Sequence, residues 1–411
     1  MAVLLLLATV SQAQIQPPEF ICVRNDTLLW NTPANTCGDF QNYRIFASQN
    51  RTGPYEILAE INDFNSTRFV HPTPTSQTWF YYLESDYDCP GLSSLPSDTL
   101  NNQLPAISPV QFVTVEGENV RIQWEPNTAP NITAHIVYRQ TGSGTIPIDT
   151  VFEGNSYVDT NASPTTQSES YFVLAIDACG STSLFDASQR TIFATADVNS
   201  CSQRIALEWN LYQNWPEGIA YHQVWRIDEQ GNEILVADSL LAAATVYNIR
   251  DVDDNTDYCL YVAAVRAGSG VVSRSNVVCL RTDIVQPNRD LLVKGATTLP
   301  DNTIQLDWQW TATAEMQTYR ILRSTDEENF SVIVEGSPPT PLSLDNSFVD
   351  TDVNATNGPF YYQIRTVDDC DDVATSNTVS TIRLQARAGE QVIFINWTPL
   401  EMPEVAVLTY E

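Results

Sequence analysis

VRIQW, residues 120–124, is a short alternating strand that closes on a tryptophan, and the chain writes it again and again. DTLLW ends at Trp30, IALEW at Trp209, IQLDW at Trp308 and VIFINW at Trp397. Successive gaps of 94, 85, 99 and 89 residues place one module of about ninety residues repeatedly along the 411. Near-copies of this kind put sequence into packing, and leave no segment that reads as an active site.

Each copy carries the same internal order. A second alternating strand follows in YRIFAS from Tyr43, HIVYRQ from His135, YHQVWRID from Tyr221 and YRILRS from Tyr319. A third begins at an aromatic anchor in FYYLES, YFVLAID, YCLYVAAV and YYQIRTV. The tyrosines aligned there, Tyr81, Tyr171, Tyr258 and Tyr362, lie 51, 47, 49 and 54 residues after their tryptophans. Period-two alternation, β-branched and aromatic residues, and regular Gly, Pro, Asn and Asp clusters indicate strands and turns. No stretch has the pattern of an amphipathic helix, so each copy is expected to fold as an antiparallel sandwich.

Composition narrows the partners. Fifty acidic residues against twenty basic ones give a net charge of −30. Such a surface repels nucleic acid and anionic lipid, and keeps the chain soluble. MAVLLLLATVSQAQ at the start joins a short apolar run to small residues, so 1–13 reads as a secretory signal. It departs from that pattern in having no Lys or Arg before Arg24. No other segment has 18 consecutive apolar residues, so no membrane-spanning segment is expected. Export agrees with eight cysteines in a β-rich chain.

Groups able to do chemistry are scarce. There are three histidines: His135 takes an aromatic slot on its strand, His222 follows Tyr221 and should face solvent, and His71 lies in a Pro/Thr-rich loop. No HExxH, GxSxG or phosphate-loop pattern occurs, no CxxC suggests zinc, and no cofactor is expected. RDVDDNTDY places Asp251, Asp253 and Asp257 as calcium candidates, but lacks the glycine and glutamate of a calcium loop. FVDT around Asp350 and YVDT around Asp159 repeat the theme, and a turn closed by Asp on its own backbone is the preferred reading. The cluster of Asp368, Asp369, Asp371 and Asp372 around Cys370 is a second such group. Trp215, Trp225 and Trp310 fall outside the repeated pattern and are the candidate ligand-binding residues, by stacking on sugars.

The set of tryptophan, second-strand aromatic and third-strand tyrosine resembles the fibronectin type III module, where strands B, C and F supply them to one core. The resemblance implies modules at 15–107, 108–195, 196–285 and 286–385, with 386–411 the start of a fifth. Two or three strands cannot close a sandwich, so the parent protein is expected to continue. Trp30, Trp124, Trp209, Trp308 and Trp397, with the four aligned tyrosines, are the expected core.

The resemblance also orders the cysteines, which alone allow 105 pairings. Cys22 and Cys201 each lie eight residues before a core tryptophan, and Cys179 and Cys370 eight after an anchor tyrosine. In a fibronectin type III array those positions meet at a junction, which implies Cys22–Cys179 and Cys201–Cys370 between neighbouring modules. Cys37–Cys89 and Cys259–Cys279 then close within modules. The rival pairing is Cys179–Cys201, across the second junction.

WNLYQNWPEGIAYHQVWR from Trp209, the cysteine registers and the YCLYVAAV…SNVVC strand pair resemble large Bacteroidetes surface proteins. Those carry fibronectin-type repeats ahead of a gliding motility-associated C-terminal domain, a type IX secretion signal. The resemblance implies export and a place at the outer membrane or beyond it. The expectation is an all-β tandem array of seven-stranded fibronectin type III-like, immunoglobulin-like sandwiches, not an enzyme. It would act outside the cell as adhesin or spacer, touching surface glycans or other extracellular proteins. The alternative is an accessory or carbohydrate-binding region of a secreted enzyme whose catalytic domain lies beyond residue 411.

Overall fold

The computed structural model describes residues 14–35, 37–72 and 77–399. The segment 1–13, read as an export signal, and 400–411, the later part of the expected start of a fifth copy, lie outside the described residues. Among the described residues one 3-10 turn, Ala355–Asn357, interrupts an otherwise all-β chain.

Small antiparallel sheets recur in pairs. The first pair joins Glu19–Arg24, Thr27–Asn31 and Arg68–Val70 in one sheet. Glu56–Ile61, Phe40–Ser48, Phe80–Tyr87 and Leu100–Asn101 make the other, in that spatial order. The second pair repeats the plan, with Val110–Glu116, Asn119–Trp124 and Ser156–Asp159 against Gly144–Val151, Ile132–Thr141, Ser170–Asp177 and Gln189–Arg190. The third has Ala194–Asn199, Arg204–Trp209 and Val246–Arg250, and Glu233–Leu240, Ile219–Ile227, Asp257–Arg266 and Val272–Arg274. Leu292–Thr298, Ile304–Gln309 and Asp345–Asp350, with Ser331–Gly336, Met316–Ser324, Tyr361–Asp368 and Val373–Thr375, form the fourth. These are fibronectin type III-like sandwiches in tandem.

By packing, the chain falls into two compact units. One holds the residues up to Ala196 with Leu207–Tyr247 and Tyr258–Cys279; the other holds Asp197–Ala206, Asn248–Asp257 and everything from Leu280. Strand alternation decides what each core buries. In Phe80–Tyr87 and in Tyr361–Asp368 every second residue is buried, which seats Tyr81 and Leu83, and Tyr362 and Ile364, in their cores. Trp30, Tyr43 and Ile45 join the first pair, and Trp308, Ile304 and Ile321 the second. Each large apolar side chain removed from water contributes about 1.5–3 kcal/mol.

One position of the second strand fixes the register in all four sandwiches. Tyr43, His135, His222 and Tyr319 each face the core tryptophan, with ring centroids 5.6, 5.3, 5.7 and 6.3 Å from Trp30, Trp124, Trp209 and Trp308. His222, expected to face solvent, is therefore buried, and Tyr221 is not the counterpart of Tyr43. The strand slips by one residue relative to that alignment, and a one-residue slip exchanges the two faces. The register of Asp257–Arg266 follows: Leu260, opposite Arg226, holds the place that Tyr81 holds opposite Ala47. Tyr258 is buried two residues earlier, beneath the guanidinium of Arg226 at 4.0 Å.

Trp397 departs from the other four. It is 42% exposed, on a two-stranded hairpin of Leu384–Ala388 and Ile393–Trp397 whose residues are all exposed. Among the described residues no second sheet covers that hairpin.

Candidate functional site

The aromatic candidates separate by what their rings touch. Trp310 is buried in its own core and donates its indole N–H to the carbonyl of Ser343 at 2.7 Å. Trp215 is 5% exposed, stacks on Tyr212 at 3.8 Å, and donates to the carbonyl of Gln111 at 2.7 Å. Neither ring is open to a ligand, because each indole has its face and its donor occupied. Trp225 is different: it is half-buried, on the outward face of Ile219–Ile227.

Why that face is covered follows from the edge strand Val110–Glu116 of the second sandwich. Its outward backbone groups, which an open edge would leave to water or to another chain, are met by the third sandwich. Val113 N donates to the Tyr212 hydroxyl at 2.9 Å, and Ser273 Oγ donates to the Val113 carbonyl at 2.7 Å. Arg274 N donates to Thr114 Oγ1 at 2.9 Å, and Trp215 to Gln111 completes the seam. Burial drives the Tyr212 hydroxyl well above the ordinary tyrosine range, against the pull of the Val113 amide. Covering on both sides also explains why YCLYVAAV is an unbroken apolar run rather than an alternating one: Tyr258 and every residue from Leu260 to Val265 are buried.

The seam leaves a groove of about 650 Å³ beside it, lined by Phe112, Thr114 and Glu116 on one bank and Gln223, Trp225 and Tyr261 on the other. Trp225 and Tyr261 are direct partners on adjacent strands, with rings parallel to within 3° and centroids 6.2 Å apart. Arg274 reaches over the Tyr261 ring at 5.1 Å and forks onto Glu233 at 2.6 and 3.2 Å. That hydrogen bond holds Glu233 below the usual carboxylate range, against burial. Tyr261 is 2% exposed, and its hydroxyl lies beside the Glu233 carboxylate. Burial chiefly, with the Glu233 carboxylate adding to it against Arg274, pushes it up to about 12. The Gln223 amide stands beside the indole, its Oε1 accepting from Trp225 Nε1 at 3.3 Å and its Nε2 donating to Asp238 at 2.9 Å.

The cysteines lie in four disulfides: Cys22–Cys179, Cys37–Cys89, Cys201–Cys370 and Cys259–Cys279. The first spans 157 residues within one compact unit, and Arg24 donates to the Cys179 carbonyl at 3.1 Å beside it. Cys201–Cys370 ties the 197–206 segment to the Tyr361–Asp368 sheet within the other unit.

The acidic candidates serve turns. The Asp253 carbonyl accepts from Thr282 at 2.6 Å, Asp257 pairs with Arg281 at 3.3 Å, and Asp251 takes the left-handed turn conformation. Asp368 Oδ1 accepts from the amides of Cys370 and Asp372, each at 2.9 Å, closing that loop. Among the described residues no group of three or more His, Cys, Asp or Glu converges on a metal position. The YVDT and FVDT aspartates have a role that the sequence reading missed. Asp159 accepts from Tyr171 at 3.0 Å and Arg139 at 2.8 Å, and Asp350 from Tyr362 at 2.9 Å and Arg323 at 2.8 Å. The signal was available: each aspartate precedes its tyrosine by twelve residues.

The arrangement nearest to a nucleophile and base is Ser108 with His135, 3.0 Å apart. Ser108 is 1% exposed and His135 packs on Trp124, so no substrate reaches the pair. His71 lies 3.0 Å from the Tyr81 hydroxyl, and His222 faces the Leu241 carbonyl at 3.2 Å. All three imidazoles are placed as core or corner groups.

No protein-family model matches the chain, and no curated protein matches it. Among solved structures it is similar to the FN1-FN3 domains of chicken CNTN1, at 16% identity over 65% of this chain and 99% of that one, with a TM-score of 0.20. It is also similar to a tetra-tandem repeat in the extending region of a large adhesion protein, at 13% identity over 86% of this chain and 94% of that one, with a TM-score of 0.23. Superposition at that level carries no functional weight. Among the described residues no helix is long and apolar enough to cross a membrane.

Proposed function

We propose that this chain is a non-enzymatic extracellular array that holds a contact surface away from the cell, as adhesin or spacer. The observation that carries the reading is the fusion of neighbouring sandwiches in the first unit. Cys22–Cys179 staples the first to the second, and four hydrogen bonds to the edge strand Val110–Glu116 fasten the third. A flexible linker between domains needs none of these, whereas a spacer gains reach and avidity from stiffness. The modules are 15–107, 108–195, 196–285 and 286–385, with a further one starting at 386, and 1–13 is the export signal. Disulfides agree with an oxidising compartment. Export by the type IX route, a place at the outer membrane and a part in gliding complete the reading suggested by sequence resemblance.

The test is done on the producing cells. Antibody to the array should label intact cells, and deletion of the gene should reduce attachment to glycan- or protein-coated surfaces while polymer hydrolysis stays unchanged. Loss of hydrolysis with attachment intact favours the accessory region of an enzyme instead.

A further inference from the structure

We propose that the groove beside the second and third sandwiches binds a neutral carbohydrate, with Trp225 as its stacking platform. The inference rests on the extracellular reading above and gives its contact surface a ligand class. Three observations carry it.

The first is the ring itself. Of the three candidate tryptophans, Trp215 and Trp310 are sealed, and Trp225 lines an open groove. It lies parallel to Tyr261, whose buried ring backs it, and presents the flat apolar floor of the groove. The axial C–H face of a pyranose is apolar and flat, and suits such a floor.

The second is the polar rim. A carboxylate (Glu233), a guanidinium (Arg274) and an amide (Gln223) stand around the same floor. All three are planar groups with paired donors or acceptors, the geometry that adjacent sugar hydroxyls satisfy two at a time. A groove of about 650 Å³ is within the range of small-ligand sites.

Charge then selects among carbohydrates. Among the described residues Arg274 is the only cation lining the groove, and it is neutralised by its fork onto Glu233. Glu116 stands on the opposite bank, and the chain carries a net charge of −30. Sialylated, sulfated or uronic glycans are repelled, and uncharged ones are not.

The experiment titrates the full chain with cello-, xylo-, manno- and laminari-hexaose and with a sialylated hexasaccharide, by calorimetry and tryptophan fluorescence. At least one neutral hexaose should bind with Kd below about 1 mM and quench emission, and the sialylated one should bind at least tenfold more weakly. Trp225→Ala should lose tenfold or more, and Trp225→Tyr should recover part of it. Glu233→Gln, on an exposed rim position, should weaken binding several-fold at an unchanged unfolding midpoint, which separates the site from the fold. No neutral hexaose bound at 10-fold that concentration, a preference for the sialylated probe, or unchanged affinity in both variants overturns the proposal. Cell attachment that survives such a failure leaves the array reading standing and removes this site alone.

Discussion

The indole N–H of Trp215 donates to the main-chain carbonyl of Gln111, 104 residues earlier, at 2.7 Å. One side chain from the third sandwich thus closes part of the open edge of the second. Trp215→Phe keeps most of the apolar area and deletes the donor, leaving the Gln111 carbonyl short of a partner. The expected loss is about 1–3 kcal/mol, read from the denaturant midpoint of the full chain. A midpoint unchanged within error would mean that the seam adds nothing to stability.

Tyr171 and Tyr362 each give a hydroxyl hydrogen bond to a buried aspartate, and burial with that carboxylate pushes both hydroxyls far above the ordinary tyrosine range. Tyr171→Phe and Tyr362→Phe should each cost about 1.5–3 kcal/mol, as a hydrogen bond to a charged group. The third sandwich has Leu260 at the matching place, so its equivalent test is a cavity. Leu260→Ala should cost about 2–5 kcal/mol, measured in the same unfolding assay.

His135 and His222 are both held below the ordinary histidine pKa, because burial penalises the imidazolium; for His222 the Leu241 carbonyl opposes the shift. The unfolded chain takes up these protons at about pH 6.5. Stability from the two rings is therefore complete above that value, and drains as pH falls through it toward the lower folded values. Unfolding free energy measured from about pH 7 to 5 should fall, and should fall less steeply in His135→Gln and in His222→Gln. An unchanged slope in both variants contradicts the assignment.

Cys22→Ser with Cys179→Ser opens a loop of 157 residues. Chain entropy alone gives a loss of up to about 5 kcal/mol. The double variant should unfold at lower denaturant, and limited proteolysis should cut between the first two sandwiches.

Much of the fold was legible because sandwich cores are local in pattern. Trp30, Trp124, Trp209 and Trp308 end alternating strands, and alternation alone says which face each enters. Tyr258 and His222 were misplaced because the third copy lacks the aspartate–tyrosine pair that would anchor its register, and two adjacent aromatics, Tyr221 and His222, fit the strand equally well. The groove was half legible. Trp225 stood out by position, but what walls it, Phe112 and Thr114, lies more than a hundred residues away and obeys no local period. The fate of Trp215 was hidden for the same reason: its partner is a backbone carbonyl, and a carbonyl leaves no mark in sequence.

Mapping the disulfide-linked peptides of the non-reduced protein puts the stapled-array account to its most direct trial. The account predicts peptides joining Cys22 to Cys179 and Cys201 to Cys370, alongside Cys37–Cys89 and Cys259–Cys279. A peptide joining Cys179 to Cys201 would contradict it.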